Sequence, residues 1–401
     1  MYLTHFSLTN FRNFTRLDID VPSGTLLVVG DNAQGKTSLL EAIYFISAFT
    51  SYQASHNREL LNFIAAREQL TVGRIVADYR RGEKSHRLEV RIIQERSGNG
   101  NTRVRKEVLL NDVKGNISET IGHFNAVLFL PRMLSIIDGS PSERRHYLNL
   151  AISQTSSRYT AAFSAYNKAI TQRNALLKML AERGGDTGQL DYWDEKITQS
   201  GATIIRARIH AIREIEHLAA LIHHELTRGK EVLRLIYRPA YDPYTPPKNQ
   251  IELPLDAPID RTGFSKEEIA AGFLQALIAL RKEEIRRGVT TIGPHRDELH
   301  FLSNGIDLGT YGSRGQIRTT LLALKIAEVA WIKEKTGYWP LLLLDEVLAE
   351  LDNQRRVDLL ERLTEIEQAL LTTTDLNLFT PDFVQAATTW QIRGGRLVSG
   401  D

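Results

Sequence analysis

Gly30-Asp31-Asn32-Ala33-Gln34-Gly35-Lys36-Thr37 decides how the rest of the chain is read. The octapeptide fits G-x-x-x-x-G-K-[ST], a pattern that average Gly, Lys and Ser/Thr usage produces by chance in about one chain in a hundred of this length. The apolar run TLLVVG (25–30) leads into it as a buried strand, and SLLEAIYFISAF follows as a helical stretch. Strand, glycine-containing turn and helix in that order make a phosphate-binding loop. In such a loop the backbone N–H groups turn inward and the helix start adds positive potential. Lys36 then reaches the β- and γ-phosphates of a nucleotide, and Thr37 holds Mg²⁺. The candidate nucleotide-binding residues are therefore Gly30, Asp31, Asn32, Ala33, Gln34, Gly35, Lys36 and Thr37.

Leu341-Leu342-Leu343-Leu344-Asp345-Glu346 is a buried-strand pattern that ends in two carboxylates. Beside a phosphate-binding loop, Asp345 is expected to bind Mg²⁺ and Glu346 to act as general base toward the attacking water. Ser313-Arg314-Gly315-Gln316 opens the helical stretch IRTTLLALKIAEVAWIKEK, and Ala349-Glu350-Leu351-Asp352 follows the carboxylates. The order phosphate loop, S-x-G-Q, carboxylate strand, then Asp352 resembles ABC-type ATPases. That resemblance implies ATP and Mg²⁺, with Thr37 and Asp345 as metal residues and Lys36, Asp345 and Glu346 as the catalytic set. It further implies a head-to-tail dimer, in which Ser313, Arg314, Gly315 and Gln316 act on the nucleotide held by the partner subunit and Asp352 forms the D-loop.

From Tyr2 to about Val21 apolar residues alternate, as in half-buried strands. Three β-rich segments between Leu70 and Val113 suggest an antiparallel meander, with separators RRGEKS and RSGNGNT. Ser140, Pro141 and Glu143 read as N-cap, N1 and N3 of a capping box. Beyond them two amphipathic limbs, broken at ERGGDTGQ, predict a helical hairpin of about 35 residues or 50 Å per limb. Arg173, Gly201 and Arg208 interrupt its seam. The Pro-rich stretch 237–250 reads as a loop, and SKEEIAAGFLQALIALRKEEIRRG (265–288) as a returning helix. Strand–helix alternation then resumes and ends in a weak hairpin pattern at Gly394 and Gly395. The expected fold is α/β: an ABC-type ATPase head, with a phosphate-loop sheet and an antiparallel β subdomain, carrying an inserted, mostly helical SMC-like lobe. The expected domains are 1–138, head with phosphate loop and β subdomain; 139–288, inserted helical lobe; and 289–401, head with signature, carboxylates and D-loop.

With 401 residues, 42% hydrophobic and 24% charged, the chain is an ordinary globular one of two or three domains. Fifty basic against 48 acidic residues leave +2, so only a local patch can carry a nucleic-acid face. Zero Cys excludes thiol catalysis and thiolate metal sites. No signal peptide or run of about 18 apolar residues is evident, so a cytoplasmic protein with no membrane partner is expected. The 11 His show no metal-ligand spacing, and Mg²⁺ is the one metal expected.

Thr37 and Ser313 stand 276 positions apart, room for the helical insert of SMC- and Rad50-like ATPases. NFRNF (10–14), GSPSERR (139–145), GPHRDEL (293–299), YGSRGQIRTTLLALKIAE, LLLLDEVLAELD and TTTD (372–375) occur together in the order of the RecF family. The chain resembles that family from end to end. Thr372–Asp375 has no His where SMC-like relatives usually keep one, and Ser51–Ser55 and Pro131–Leu134 depart from the family pattern. The resemblance implies ATP-dependent binding to duplex DNA beside single-stranded gaps, in replication and recombinational repair. It also implies work with RecO and RecR in loading RecA, support of the SOS response to DNA damage, and slow, DNA-stimulated ATP hydrolysis as a release switch. An SMC-like ATPase acting on a protein partner is the alternative. Arg144 and Arg145 require either a phosphate or carboxylate partner or a solvated first turn. His295 and Arg296 suit either a nucleotide or intersubunit contact or a loop brace. Arg80, Arg81 and Lys84, Arg103–Lys106, and Arg281, Lys282, Arg286 and Arg287 are candidate DNA-phosphate contacts or charged faces.

Overall fold

The computed structural model describes residues 1–96, 101–244 and 259–399. Strands β1 (Tyr2–Phe11), β2 (Phe14–Asp20), β3 (Gly24–Val29), β4 (Leu70–Arg81), β5 (Lys84–Arg96), β6 (Thr102–Leu110), β7 (Val113–Gly115) and β8 (Ala126–Phe129) come first. They are followed by β9 (Leu233–Arg238), β10 (Glu298–Ser303), β11 (Ile306–Asp307), β12 (Leu341–Asp345), β13 (Gln368–Thr373), β14 (Thr388–Arg393) and β15 (Arg396–Ser399). The chain divides into two compact units, Met1–Met133 with Lys325–Asp401, and Leu134–Leu324.

The first unit holds two sheets. One has the order β15-β14-β3-β13-β12-β8 and is parallel except for the β14–β15 hairpin. Its central strands are continuous apolar runs, as burial on both faces demands. The other, β2-β1-β4-β5-β6-β7, is antiparallel throughout and contains the expected meander. Helix Lys36–Ala48 touches β8 and β12 of the first sheet and β4 and β5 of the second. That double cover explains why it is apolar nearly all round, with Leu39, Leu40, Ile43, Phe45 and Ile46 fully buried.

The second unit is mostly helical, with Pro141–Thr155, Ser157–Arg183, Leu190–Leu226 and Lys266–Arg287 beside the small sheet β11-β10-β9. The hairpin limbs are unequal, 27 and 37 residues, because Ser156 starts a new helix by accepting from Tyr159 N. Nor is the hairpin a free coiled coil, since Lys266–Arg287 packs against both limbs. Two of the residues that break the seam, Arg173 and Gly201, make that third contact. Arg173 is wholly buried between Asp194 and Glu284, at 2.6 Å from each. A Cβ on Gly201 would lie 2.8 Å from the Phe273 ring, so only glycine admits the third helix there.

Three expectations need correction. The second boundary falls at Leu324 rather than 288, because β10 pairs antiparallel with β9 and ties the following residues to the helical unit. Pro141 does stand at N1, but Ser140 makes no capping bond; its Oγ lies 2.6 Å from Ser142 Oγ. The reciprocal capping box occurs at Ser265 and Glu268 instead. Of the stretch 237–250, Tyr237 and Arg238 end β9, and residues 245–250 lie outside the described residues, as do 97–100 of RSGNGNT.

Candidate nucleotide-binding site

β3 ends at Val29, and the loop 30–35 delivers the chain to the helix that starts at Lys36. Ala33 (φ 63°) and Gly35 (φ 114°) turn the loop through the left-handed region. For the alanine this is unfavourable by about 1–2 kcal/mol, so the surroundings must enforce it. Gly30 is required on packing grounds: a Cβ there would come 2.5 Å from Ile392 O of the neighbouring β14. Lys36 is buried and donates to Gly30 O (2.6 Å) and Asp31 O (3.0 Å), and its Nζ lies 3.1 Å from Glu346 Oε1.

The strand order places β13 between β3 and β12, which brings the carboxylates to the loop. Thr37 Oγ1 lies 2.8 and 3.1 Å from the two Asp345 oxygens, and Thr372 Oγ1 donates to Asp345 Oδ1 at 2.7 Å. Thr372 Oγ1 also accepts from Glu346 N (3.0 Å), so one hydroxyl fixes both carboxylate residues. Burial pushes the Asp345 pKa up, against the hydrogen bonds from Thr372 and Thr37, which lower it. Glu346 adopts φ 54°, and its Oε1 is a buried oxygen without an aligned hydrogen-bond donor despite the nearby Lys36 Nζ. Hydroxyl and carboxylate oxygens are the donors a hard divalent cation takes, so Thr37 and Asp345 fit Mg²⁺ chemically. When bound, Mg²⁺ would supply charge neutralisation at triphosphate oxygens. Gln53 and Tyr52 line a small pocket together with Thr37 and Glu41.

Asp352 caps helix Asn353–Leu363 through Arg355 N (2.9 Å), a bond that also holds its pKa below the usual range. Ser313–Gln316 belong to the second unit, where helix Arg314–Thr336 begins. Gln316 N donates to Ser313 Oγ (3.2 Å) and Ser313 N to Gln316 Oε1 (3.1 Å), a reciprocal cap. Arg314 is exposed, its Nη1 3.5 Å from Asp138, and a Cβ on Gly315 would meet open space. The loop and the two carboxylates thus assemble within the first unit, and the signature motif is an exposed helix start of the second.

The alternatives left open elsewhere now separate. Arg144 makes a two-pronged contact with Glu298 (2.6 and 3.1 Å), and Arg145 donates to Asp297 O (2.9 Å), so carboxylate and carbonyl partners account for the cations in that first turn. His295 bonds Tyr166 OH (2.6 Å) and Thr290 O (3.2 Å), and burial lowers its pKa to about 4, which makes it a neutral loop brace. Arg281 is bound to Asp191 and Asp194, Arg287 to Glu283 and Arg105 to Glu107, while Arg81 stacks on Tyr338. Lys106 turns inward to Phe49 O, and burial lowers its pKa to about 8. Among the described residues of those stretches, Arg80, Lys84, Arg103, Lys282 and Arg286 are left without an ion-pair partner. The sequence singled out neither Thr372 nor Asn13 nor the C-terminal turn as parts of the site, although TTTD and NFRNF contain two of them.

A family model for the RecF/RecN/SMC N-terminal domain matches residues 2–388. The chain is 37% identical over 410 residues to the DNA replication and repair protein RecF of Chloroflexus aurantiacus, covering 100% of both chains. It is 35% identical over 378 residues to that of Enterococcus faecalis, covering 94% of this chain and 93% of the other. A solved structure of the recombination mediator protein RecF with ATP, in the RecFOR pathway, superposes with a TM-score of 0.82 at 30% identity, over 100% of this chain and 98% of that chain. The fold is that of the ABC-type ATPase head with an SMC-like helical insertion, as expected. With full-length matches in sequence and structure, the chain belongs to the RecF family of DNA replication and repair proteins, ATP-binding members of the RecF/RecN/SMC group.

Proposed function

We propose that the protein is an ATP-gated DNA clamp of recombinational repair. Two ATP molecules are sandwiched in a head-to-tail homodimer, each held by Gly30–Thr37 of one subunit and met by Ser313–Gln316 of the other. Thr37 and Asp345 hold Mg²⁺, Lys36 neutralises the β- and γ-phosphates, and Glu346 takes the proton of the attacking water. Loss of the γ-phosphate removes the signature contacts and opens the dimer, so slow, DNA-stimulated hydrolysis sets the residence time on DNA. The preferred substrate is duplex DNA beside a single-stranded gap. RecR and RecO are the partners that turn binding into RecA loading and the SOS response, in the cytoplasm.

The observation that carries this reading is the cluster Lys36, Thr37, Asp345 and Glu346, drawn together across three adjacent strands by hydrogen bonds of 2.7–3.1 Å through Thr37 and Thr372 and by the Lys36–Glu346 ion pair at 3.1 Å. The test is fluorescence anisotropy of Glu346→Gln on gapped duplex DNA with and without ATP and Mg²⁺. Binding that requires ATP is the expected result. No binding even at low salt, where phosphate contacts are strongest, would leave an ATPase whose partner is a protein.

A further inference from the structure

The phosphate loop does not hold itself. Its tip residue, Gln34, has its carbonyl fixed from two sides: Gly395 N donates at 3.0 Å and Asn13 Nδ2 at 3.2 Å. The Gln34 side chain is fixed too, its Oε1 accepting from Gly394 N at 2.6 Å. Gly394 and Gly395 form the two-residue turn of the β14–β15 hairpin, both with positive φ (56° and 71°), and Arg393 pairs with Arg396 across it. Asn13 sits in the turn between β1 and β2, where Phe11 pairs with Phe14. Two turns from opposite ends of the sequence therefore close on one peptide unit.

A trans peptide is planar, with its C=O and N–H pointing in opposite directions. Anchoring the Gln34 carbonyl outward onto the hairpin consequently aims Gly35 N–H the other way, into the loop's concavity where a phosphate is bound. It also stabilises the left-handed conformations at Ala33 and Gly35 on either side of Gln34. The fit is tight: a Cβ on Gly395 would stand 2.7 Å from Asn13 O, and one on Gly35 2.5 Å from Asn13 Nδ2.

The structure assigns Asn13 and the Gly394–Gly395 turn a positioning role for nucleotide binding: they hold the phosphate loop in its binding conformation, and the C-terminal hairpin is coupled to nucleotide occupancy. This rests on the reading of Gly30–Thr37 as the ATP site. Linkage then runs both ways, so ATP must also steady the hairpin.

The full-length protein is titrated with ATP and Mg²⁺, and KM, kcat and hydrogen exchange of residues 391–396 are read together. Asn13→Ala removes one donor. Gly395→Asn keeps a residue that tolerates the turn but brings its Cβ against Asn13. Each is expected to raise KM for ATP about five- to tenfold, the range for one or two lost hydrogen bonds, with kcat within about twofold. ATP slows exchange at 391–396 in the wild type and not in Asn13→Ala. An unchanged KM in Asn13→Ala, or exchange indifferent to ATP, overturns the inference; if Gly395→Asn does not fold, Asn13→Ala decides alone. A wild-type protein that binds no ATP would instead remove the nucleotide reading itself.

Discussion

Thr372 shows how one hydroxyl can organise a carboxylate pair. It donates to Asp345 Oδ1 and accepts from Glu346 N, so its loss removes one of the two hydroxyls on the Asp345 carboxylate and the restraint on the Glu346 backbone at once. Thr372→Val keeps the shape and removes both bonds; kcat is expected to fall about tenfold, with ATP affinity changed by less than about threefold, in steady-state ATPase assays and nucleotide titration. Glu346→Gln keeps ATP binding and lowers turnover by about 10²–10⁴, the contribution of a general base. Ordinary turnover in that variant would remove Glu346 from the role. The motif residues were legible because phosphate and Mg²⁺ chemistry dictates their type at short spacing. Thr372, Asn13 and Gly395 were not, because their places come from sheet order, which sets residues hundreds of positions apart beside one another.

At the level of elements, the sequence marked the limbs of the helical hairpin but not what packs on them. Arg208 reads as an interruption of an apolar seam; in the structure it is buried on Asp297 Oδ2 and Pro294 O, both at 2.6 Å. Removing one partner strands a buried charge. Arg208→Met should therefore lower stability by about 3–5 kcal/mol in urea denaturation, and Arg208→Met with Asp297→Asn should recover part of the loss. The basic run on β6 teaches the opposite lesson, since periodicity does not tell which cations face inward. The Lys106 pKa is lowered to about 8 by burial, so its charge is penalised in the fold below that pH. Between about pH 8 and 10.5 the unfolded chain binds the extra proton, and stability must rise with pH. Relative to Lys106→Met, the wild type should gain about 2–4 kcal/mol across that window, measured by denaturation at each pH. A flat difference would place the ammonium in solvent and return it to the candidate DNA contacts.

Over the whole molecule, the proposed dimer makes a demand that single variants cannot test. Each nucleotide is taken to lie between Lys36 of one subunit and Ser313 of the other, so either defect alone inactivates both sites of its homodimer. Lys36→Ala and Ser313→Arg are then complementary. A heterodimer of the two has one site carrying both defects and one carrying neither. In an equimolar mixture half the dimers are heterodimers with one intact site of two, so ATPase activity should recover to about a quarter of wild type. If loop and signature instead served one nucleotide within a single chain, every subunit would remain defective and mixing would restore nothing. Recovery should also require subunit exchange in the ATP-dependent dimer, which pull-down of one variant by an affinity tag on the other, with and without nucleotide, detects. A dimer that forms in the mixture while activity stays at the level of the separate variants would rule out the shared site.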